Sequence, residues 1–201
     1  MRYSGQNRKD GTLTTQIRSP EYRFGLPLRK GFNAFTLGGA VGVIMGSRSD
    51  WPFMEPCTKM LEFLEINFEF GVVSAHRTPQ RMIDYAHTAE DRGLHVIIAC
   101  AGGSAHLPGM TASETVLPVL AVAPKKTDQA AIGSMIEMPE GIPLSYMGGG
   151  SETYRNAGAV NAALQAAQIL ALHDEPLRAR LGKYYENLTE NVPFTCFGKE
   201  D

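Results

Sequence analysis

Residues 68–91 read FEFGVV SAHRTP QRMIDYAHTAED, which predicts a strand, a short connection and a helix in that order. The first six residues, in which Glu69 is the only charged side chain, form a run of the composition and length of a strand. Residues 80–91 carry apolar side chains at the spacing of one helix face. In an open parallel sheet, such a connection lies at the carboxyl end of its strand, where ligands bind. The connection at residues 74–79 is therefore the first candidate for a functional site.

Three polar side chains occupy this connection: the hydroxyl of Ser74, the imidazole of His76 and the guanidinium of Arg77. An imidazole can donate or accept a proton near neutral pH, which makes His76 a candidate general acid/base. The planar fork of Arg77 suits a phosphate or carboxylate, which it binds through two parallel hydrogen bonds. The plainer alternatives are a surface histidine and a solvated or salt-bridged arginine.

The same alternation of strand and helix continues on both sides of this unit. It predicts an α/β three-layer sandwich with a flavodoxin-like, doubly wound parallel sheet of order 2-1-3-4-5. A first helix follows Asp50, which is its expected N-cap, and Pro56 predicts a kink or a late start in that helix. The other predicted segments are strands at 40–45, 96–101, 116–122 and 142–147, and helices at 129–136, 157–172 and 175–191.

In that strand order, the loops after the first and third strands flank one crevice. The first loop, GSRSD at residues 46–50, resembles a phosphate cradle, although it has neither the Walker A pattern nor GxGxxG. Asp50 is expected to bind a ribose hydroxyl or a ring N–H, or only to cap the helix. The loop after the third strand is rich in glycine, and Gly102 and Gly103 allow a flat ligand to approach the backbone. His106 is expected to line the same crevice.

Size and composition limit the classes of protein that this chain can represent. Its 201 residues predict one α/β domain at 39–174, preceded by a basic extension at 1–38 and followed by a helix and tail at 175–201. The net charge of −2 argues against a general nucleic-acid surface, and no apolar run is long enough to predict a membrane span. The three cysteines are far apart and lack CxxC spacing, so they predict neither a disulfide framework nor a zinc site. We therefore expect a cytoplasmic protein.

From about residue 41 to residue 172, the chain resembles the class I 5-(carboxyamino)imidazole ribonucleotide mutases of bacterial purine biosynthesis. The motifs that carry the resemblance are MGSRSDW (45–51), VVSAHRTP (72–79), AGGSAHLPGM (101–110), MPEGIP (138–143) and NAALQAAQILA (161–171). The related carboxylases of the same fold are less similar. They tend to have AHK at residues 75–77 and GRSN at residues 102–105.

The resemblance implies an isomerase that moves a carboxylate from the exocyclic nitrogen to carbon 4 of an aminoimidazole ribonucleotide. It also implies a homo-octamer that uses neither a metal nor an organic cofactor and that traps CO2 during the transfer. His76 would be the general acid/base. By position, the ribonucleotide would be bound by Ser47, Asp50 and Arg77, lined by Ser49 and Ser74, and walled by Gly102, Gly103, His106 and Leu107.

Two segments depart from the family pattern. Residues 123–133 are shorter and more basic than expected, and residues 148–156 look like an insertion before the Ala-rich helix. Either segment can alter the rim of the pocket or the assembly. Two alternatives therefore stay open, a carboxylase that uses free CO2 and a nucleotide-binding paralogue without activity.

Overall fold

The computed structural model describes residues 39–124, 129–149 and 157–192. Within these residues, five parallel strands form one sheet in the order β2-β1-β3-β4-β5, which confirms the predicted topology. The strands are β1 (Val41–Met45), β2 (Phe68–Val72), β3 (Val96–Cys100), β4 (Val119–Ala123) and β5 (Ser145–Gly149). The helices are α1 (Trp51–Phe63), α2 (Pro79–His87), α3 (His106–Ser113), α4 (Gln129–Ile136), α5 (Ala157–Leu170) and α6 (Glu175–Glu190), and a short 3-10 turn spans Arg48–Asp50.

The sheet is buried on both faces, as its continuous apolar strands require. All residues of β1, β3 and β4 are buried, and their side chains alternate between two hydrophobic clusters. Val43 and Met45 belong to the cluster under α1, α5 and α6, whereas Ile44 belongs to the cluster under α2, α3 and α4. The three layers predicted from the sequence are therefore present.

The late start predicted from Pro56 was wrong, because α1 begins at Trp51 and runs to Phe63 with this proline inside it, and the alternative of a kink stays a prediction. Pro56 lies early in the helix, where its missing N–H would have bonded the carbonyl of Pro52, so a single hydrogen bond is lost. The sequence also failed to predict α3, which begins at His106 inside the glycine-rich segment. Pro108 is compatible with this helix because it lies in the first turn, where N–H groups have no partner within the helix.

Several predicted boundaries differ by a few residues. β4 begins at Val119 rather than at Val116, whose side chain is 84% exposed. α2 ends at His87, before the predicted stop near Gly93. The N–H of Ala89 bonds the carbonyl of Ala86, three residues back, and this tighter turn ends the helix.

The C-terminal helix α6 is docked on the domain. Leu177 and Leu181 are buried in the cluster shared with α1 and α5. Arg180 donates from Nε to the carbonyl of Leu64 at 2.9 Å, and Arg178 donates from Nη2 to the carbonyl of Ala171 at 2.9 Å. These bonds satisfy carbonyls at the ends of α1 and α5, which an α helix leaves without partners of its own.

Some predictions concern residues outside the described ranges. These are the extension at 1–38, the tail beyond residue 192, and residues 125–128 and 150–156 of the two segments that depart from the family pattern. None of the helices in the described part is both long and apolar enough to cross a membrane.

Candidate active site

The strand order brings three loops together at the carboxyl edge of the sheet. β1 lies between β2 and β3, so the loop at 46–50 is flanked by the loops at 73–78 and 101–105. The N–H of Gly46 donates to the carbonyl of Cys100 at 3.0 Å, and the N–H of Val73 donates to the carbonyl of Met45 at 2.8 Å. The three loops therefore leave the sheet at the same level.

The loop at 46–50 is held by its own polar groups. The N–H of Ser47 donates to Asp50 Oδ2 at 2.9 Å, and Ser49 Oγ donates to Ser47 Oγ at 2.9 Å. Asp50 precedes α1 but makes no side-chain hydrogen bond that caps it, so the expected capping role is corrected. Its carboxylate instead fixes the turn in which Ser47 and Ser49 lie.

The Asp50 carboxyl has a perturbed pKa. Burial in the crevice raises the pKa of this group, although the N–H of Ser47 and the charge of Arg77 act in the opposite direction. A carboxylate that has lost part of its hydration gains from a ligand hydroxyl or N–H that bonds it. This environment suits the predicted contact with a ligand donor.

Arg77 reaches across the edge of the sheet to the loop after β1. Its Nη2 donates to the carbonyl of Gly46 at 2.7 Å, and its Nε donates to Ser74 Oγ at 3.3 Å. The guanidinium has five N–H donors in a plane, so these two bonds orient the fork and leave other donors for a ligand. Thr78 adds rigidity, because its hydroxyl bonds both the carbonyl and the N–H of Ser74 at 3.0 Å.

His76 and His106 meet over the crevice. His76 Nε2 lies 2.7 Å from His106 Nδ1, and the two rings are nearly perpendicular, at 75°. His106 is the first residue of α3, and the residue before it, Ala105, has a φ of 26°, in the left-handed region. Such a backbone costs about 1 kcal/mol for a residue with a side chain. This bend turns the chain into α3 just before the histidine.

The histidine pair was missed by the reasoning from sequence, which assigned proton transfer to His76 alone. The signal was available in the predicted strand order. Loops that follow β2 and β3 lie on either side of β1, so side chains at 76 and 106 can reach each other across it.

The remaining predicted residues divide into two groups. Gly102 and Gly103 are exposed at the rim, and Gly103 has a φ of 63°, which glycine adopts without strain. Leu107 is only 2% exposed and packs in the hydrophobic cluster under α3. The side chain of Leu107 therefore faces the core.

Another family motif packs against the same helix. A Cβ atom added at Gly109 would lie 3.1 Å from the sulfur of Met138, in the MPEGIP segment. This segment therefore packs closely on α3, and an added methyl group at residue 109 would have to displace the end of the Met138 side chain by a few tenths of an ångström. Among the described residues, no group of three or more His, Cys, Asp or Glu side chains is arranged to hold a metal ion.

Together, the fold and the crevice define a doubly wound α/β protein in which a guanidinium, a carboxylate and a pair of imidazoles meet at the carboxyl edge of the sheet. The family can also be identified. The chain belongs to the AIR carboxylase family, whose model matches residues 40–191. This membership confirms the resemblance seen in the sequence.

The chain is also similar in sequence to named mutases and in structure to a solved relative. An N5-carboxyaminoimidazole ribonucleotide mutase of Vibrio vulnificus is 47% identical over 155 residues, which are 76% of this chain and 93% of the relative. A protein of the same name from Bacillus subtilis is also 47% identical with the same coverage. The crystal structure of Treponema denticola PurE superposes with a TM-score of 0.66 at 27% identity, covering 75% of this chain and 91% of that one.

Proposed function

We propose that this protein is an N5-carboxyaminoimidazole ribonucleotide mutase of purine biosynthesis, an isomerase that moves a carboxylate within its substrate. The observation that carries the proposal is the similarity to relatives of that name, 47% identical over 93% of their length. The site supports it independently, because the crevice combines a cationic fork with groups that transfer protons. The product is the 4-carboxy-5-aminoimidazole ribonucleotide.

Binding of the ribonucleotide is assigned to the loops on the two sides of β1. Arg77 binds the phosphate through the guanidinium donors that its bonds to Gly46 and Ser74 leave available. The Asp50 carboxylate accepts a hydrogen bond from a ribose hydroxyl, and the hydroxyls of Ser47 and Ser49 line the same side. Gly102 and Gly103 let the imidazole ring approach the loop after β3.

Proton transfer is assigned to His76. The imidazolium of His76 protonates the exocyclic nitrogen, the bond from that nitrogen to the carboxyl carbon breaks, and its electron pair remains on the nitrogen. Carbon 4 of the electron-rich ring then attacks the released CO2, and a new carbon–carbon bond forms. The proton lost from carbon 4 returns to His76. No proton is consumed overall, so one titrating group suffices.

His106 positions His76 in this scheme. The hydrogen bond at 2.7 Å fixes the orientation of the His76 ring and determines which of its nitrogens faces the substrate. Retaining CO2 next to the ring replaces an encounter in solution with a step inside the complex. The exposed rim of the crevice would have to close over the substrate for that retention.

A carboxylase that combines free CO2 with the decarboxylated ribonucleotide is the second candidate. The description of the matching family, AIR carboxylase, favours it. The two activities share the final carbon–carbon bond and differ in the origin of the carboxyl carbon.

Assembly and location are part of the same proposal. We expect a homo-octamer, and the described residues include large apolar side chains that a subunit interface would cover: Phe63, Val116, Ile136 and Leu172, each at least 60% exposed. We expect a cytoplasmic enzyme, and the free thiols of Cys57 and Cys100 are compatible with a reducing compartment. No metal and no organic cofactor are proposed.

Isotope labelling distinguishes the two activities. The purified protein receives the carbamate ribonucleotide with a 13C carboxyl group, in buffer containing an excess of unlabelled bicarbonate. Retention of 13C in the product is expected for the mutase, whereas an unlabelled product would establish the carboxylase. Absence of the carboxylated product, with the ribonucleotide still bound, would instead favour a paralogue without this activity.

A further inference from the structure

A second cleft lies at the opposite edge of the sheet from the candidate active site. Its volume is about 540 Å3, within the range of binding pockets in proteins. The apolar part of its lining consists of Ala40, Ile66, Ile169, Leu170 and Leu177, and the polar part of Glu65, Asn67, His95, His173, Asp174 and Arg180. The reaction proposed above uses none of these residues.

The chain enters the domain through this cleft. Ala40 is one of the lining residues, and its N–H donates to the carbonyl of Asn67 at 2.8 Å. The carbonyl of Ala40 accepts a hydrogen bond from the N–H of His95, also at 2.8 Å. Gly39 is buried, and a Cβ atom there would lie 3.2 Å from the backbone of Phe68. Residue 39, the first described residue, therefore lies next to the wall of the cleft.

Charge favours an association between these residues and the domain. Residues 1–38 hold seven of the 19 Lys and Arg residues and two of the 21 Asp and Glu residues, which gives them a net charge of +5 and leaves −7 on residues 39–201. At the cleft, Glu65 and Asp174 are exposed carboxylates. Glu65 pairs with Arg180 at 3.6 Å but its side chain stays 74% exposed, and Asp174 accepts the N–H of Leu177 through Oδ1 alone. The helices α1 and α5 end at the cleft with partial negative charge, and α6 begins there with partial positive charge, so negative helix ends outnumber positive ones by two to one.

The composition of the segment matches the lining. Residues 22–37 read YRFGLPLRKGFNAFTL, in which aromatic and aliphatic side chains are interspersed with Arg23, Arg29 and Lys30. The family match begins at residue 40, so this segment is a feature of the chain beyond the family domain.

We propose that residues 22–38 of the same chain occupy this cleft. Their apolar side chains cover Ile169, Leu170 and Leu177, and their cations face Glu65 and Asp174. The segment thereby covers the amino-terminal edge of the sheet, far from the crevice that carries His76.

Zero-length crosslinking of the full chain tests the proposal. A carbodiimide joins an amine to a carboxylate only where the two are in contact. We expect linked peptides between Lys30 and Asp174 or Glu65 in protein of monomer mass on a denaturing gel. The same links in the dimer band would assign the cleft to a segment from a second copy and overturn the proposal. Links from Lys30 to other carboxylates alone would also overturn it.

Trypsin cleavage after Arg23, Arg29 and Lys30 gives an independent measurement with a matched control. The test variant is Glu65→Asn with Asp174→Asn, because asparagine tolerates the positive φ of residue 65 and can still cap α6 at residue 174. Cleavage is expected to accelerate about fivefold, the combined effect of two surface ion pairs. The control, Glu137→Gln with Glu140→Gln, removes two exposed carboxylates elsewhere and should cleave like the parent. Equal rates in all three proteins would contradict the proposal.

Discussion

His76 Nε2 and His106 Nδ1 are 2.7 Å apart, so one hydrogen bond connects the loop after β2 to the first residue of α3. Only one of the two facing nitrogens can carry the proton in that bond. The pair therefore holds a single shared proton above the loop that follows β1. Replacing His76 and replacing His106 should therefore have different effects on catalysis.

Replacement of His76 by asparagine should abolish most turnover while the ribonucleotide still binds. Asparagine keeps hydrogen-bonding groups but cannot carry a proton through the reaction, and such general acid–base groups contribute roughly 100-fold to 10,000-fold in rate. Steady-state kinetics gives the loss of kcat. Binding can be followed through the fluorescence of Trp51, the single tryptophan of the chain, which follows Asp50 directly. Unchanged turnover would rule out the assignment of His76.

Replacement of His106 should separate positioning from proton transfer. His106→Leu removes the partner of His76 in the 2.7 Å bond and should lower kcat with little change in KM, by about tenfold if one oriented hydrogen bond is lost. His106→Asn can place an acceptor oxygen near the former Nδ1 and should recover part of kcat. If the two variants lose activity equally, with a parallel rise in KM, the residue acts on binding instead.

Replacement of Arg77 by alanine should weaken binding of the ribonucleotide by about 2 kcal/mol, the effect expected for a lost charged hydrogen bond. Arg77→Lys keeps the charge but not the fork, so it should recover less than half of that loss. Isothermal titration with the product ribonucleotide measures both. Equal affinity in the parent and the alanine variant would exclude the phosphate clamp.

The strand order and most of the crevice followed from local patterns in the sequence. Apolar strands that alternate with helices predicted the 2-1-3-4-5 sheet, and that order alone predicted that Asp50, Arg77 and His106 surround one crevice. The backbone conformation of Ala105 has no such signal, because a positive φ at a residue other than glycine depends on contacts made after folding. The start of α3 at His106 was missed for that reason.

Orientation of side chains was harder to predict than position along the chain. Leu107 lies in a motif of the site, yet its side chain belongs to the core, because the helix that begins at His106 turns it inward. The role of Asp50 differs from its expected capping role for a similar reason. The 3-10 turn at Arg48–Asp50 brings its carboxylate back to the N–H of Ser47.

Asp50→Asn should stabilise the protein at neutral pH. Because burial raises the pKa of Asp50, the folded protein holds this proton more tightly than the unfolded chain. The free energy of unfolding of the parent should therefore fall as the pH rises from the ordinary carboxyl pKa, about 4, through the raised value. The asparagine side chain does not titrate, so the variant should not lose this stability as the pH rises. Its amide oxygen can still accept the Ser47 N–H.

Urea unfolding of both proteins between pH 4 and pH 7 measures this difference. The advantage of the variant should grow with pH, and its affinity for the ribonucleotide should decrease because the acceptor for the ribose hydroxyl is no longer charged. A constant difference in stability across that range would show that the carboxyl does not titrate with a raised pKa.

Gly42→Ala should destabilise the sheet by overpacking. A Cβ atom at residue 42, the second residue of β1, would overlap the hydroxyl oxygen of Tyr85 and lie 3.0 Å from Leu94 Cδ1. The tyrosine ring cannot easily move aside, because the guanidinium of Arg92 lies 4.5 Å from its centroid and is paired with Glu69 at 2.9 Å. Overpacking of this kind costs about 1–3 kcal/mol.

The overlap with Tyr85 can be isolated with a double-mutant cycle in urea unfolding. Tyr85→Phe deletes the overlapping oxygen and leaves the ring carbon 3.3 Å from the added Cβ, close to ordinary contact. Gly42→Ala should therefore cost about 1 kcal/mol less in the Tyr85→Phe protein than in the parent, a coupling typical of residues in contact. An equal cost in both proteins would show that the added methyl group meets Leu94 alone. In that case β1 and α2 are less tightly packed at this point than the described contacts indicate.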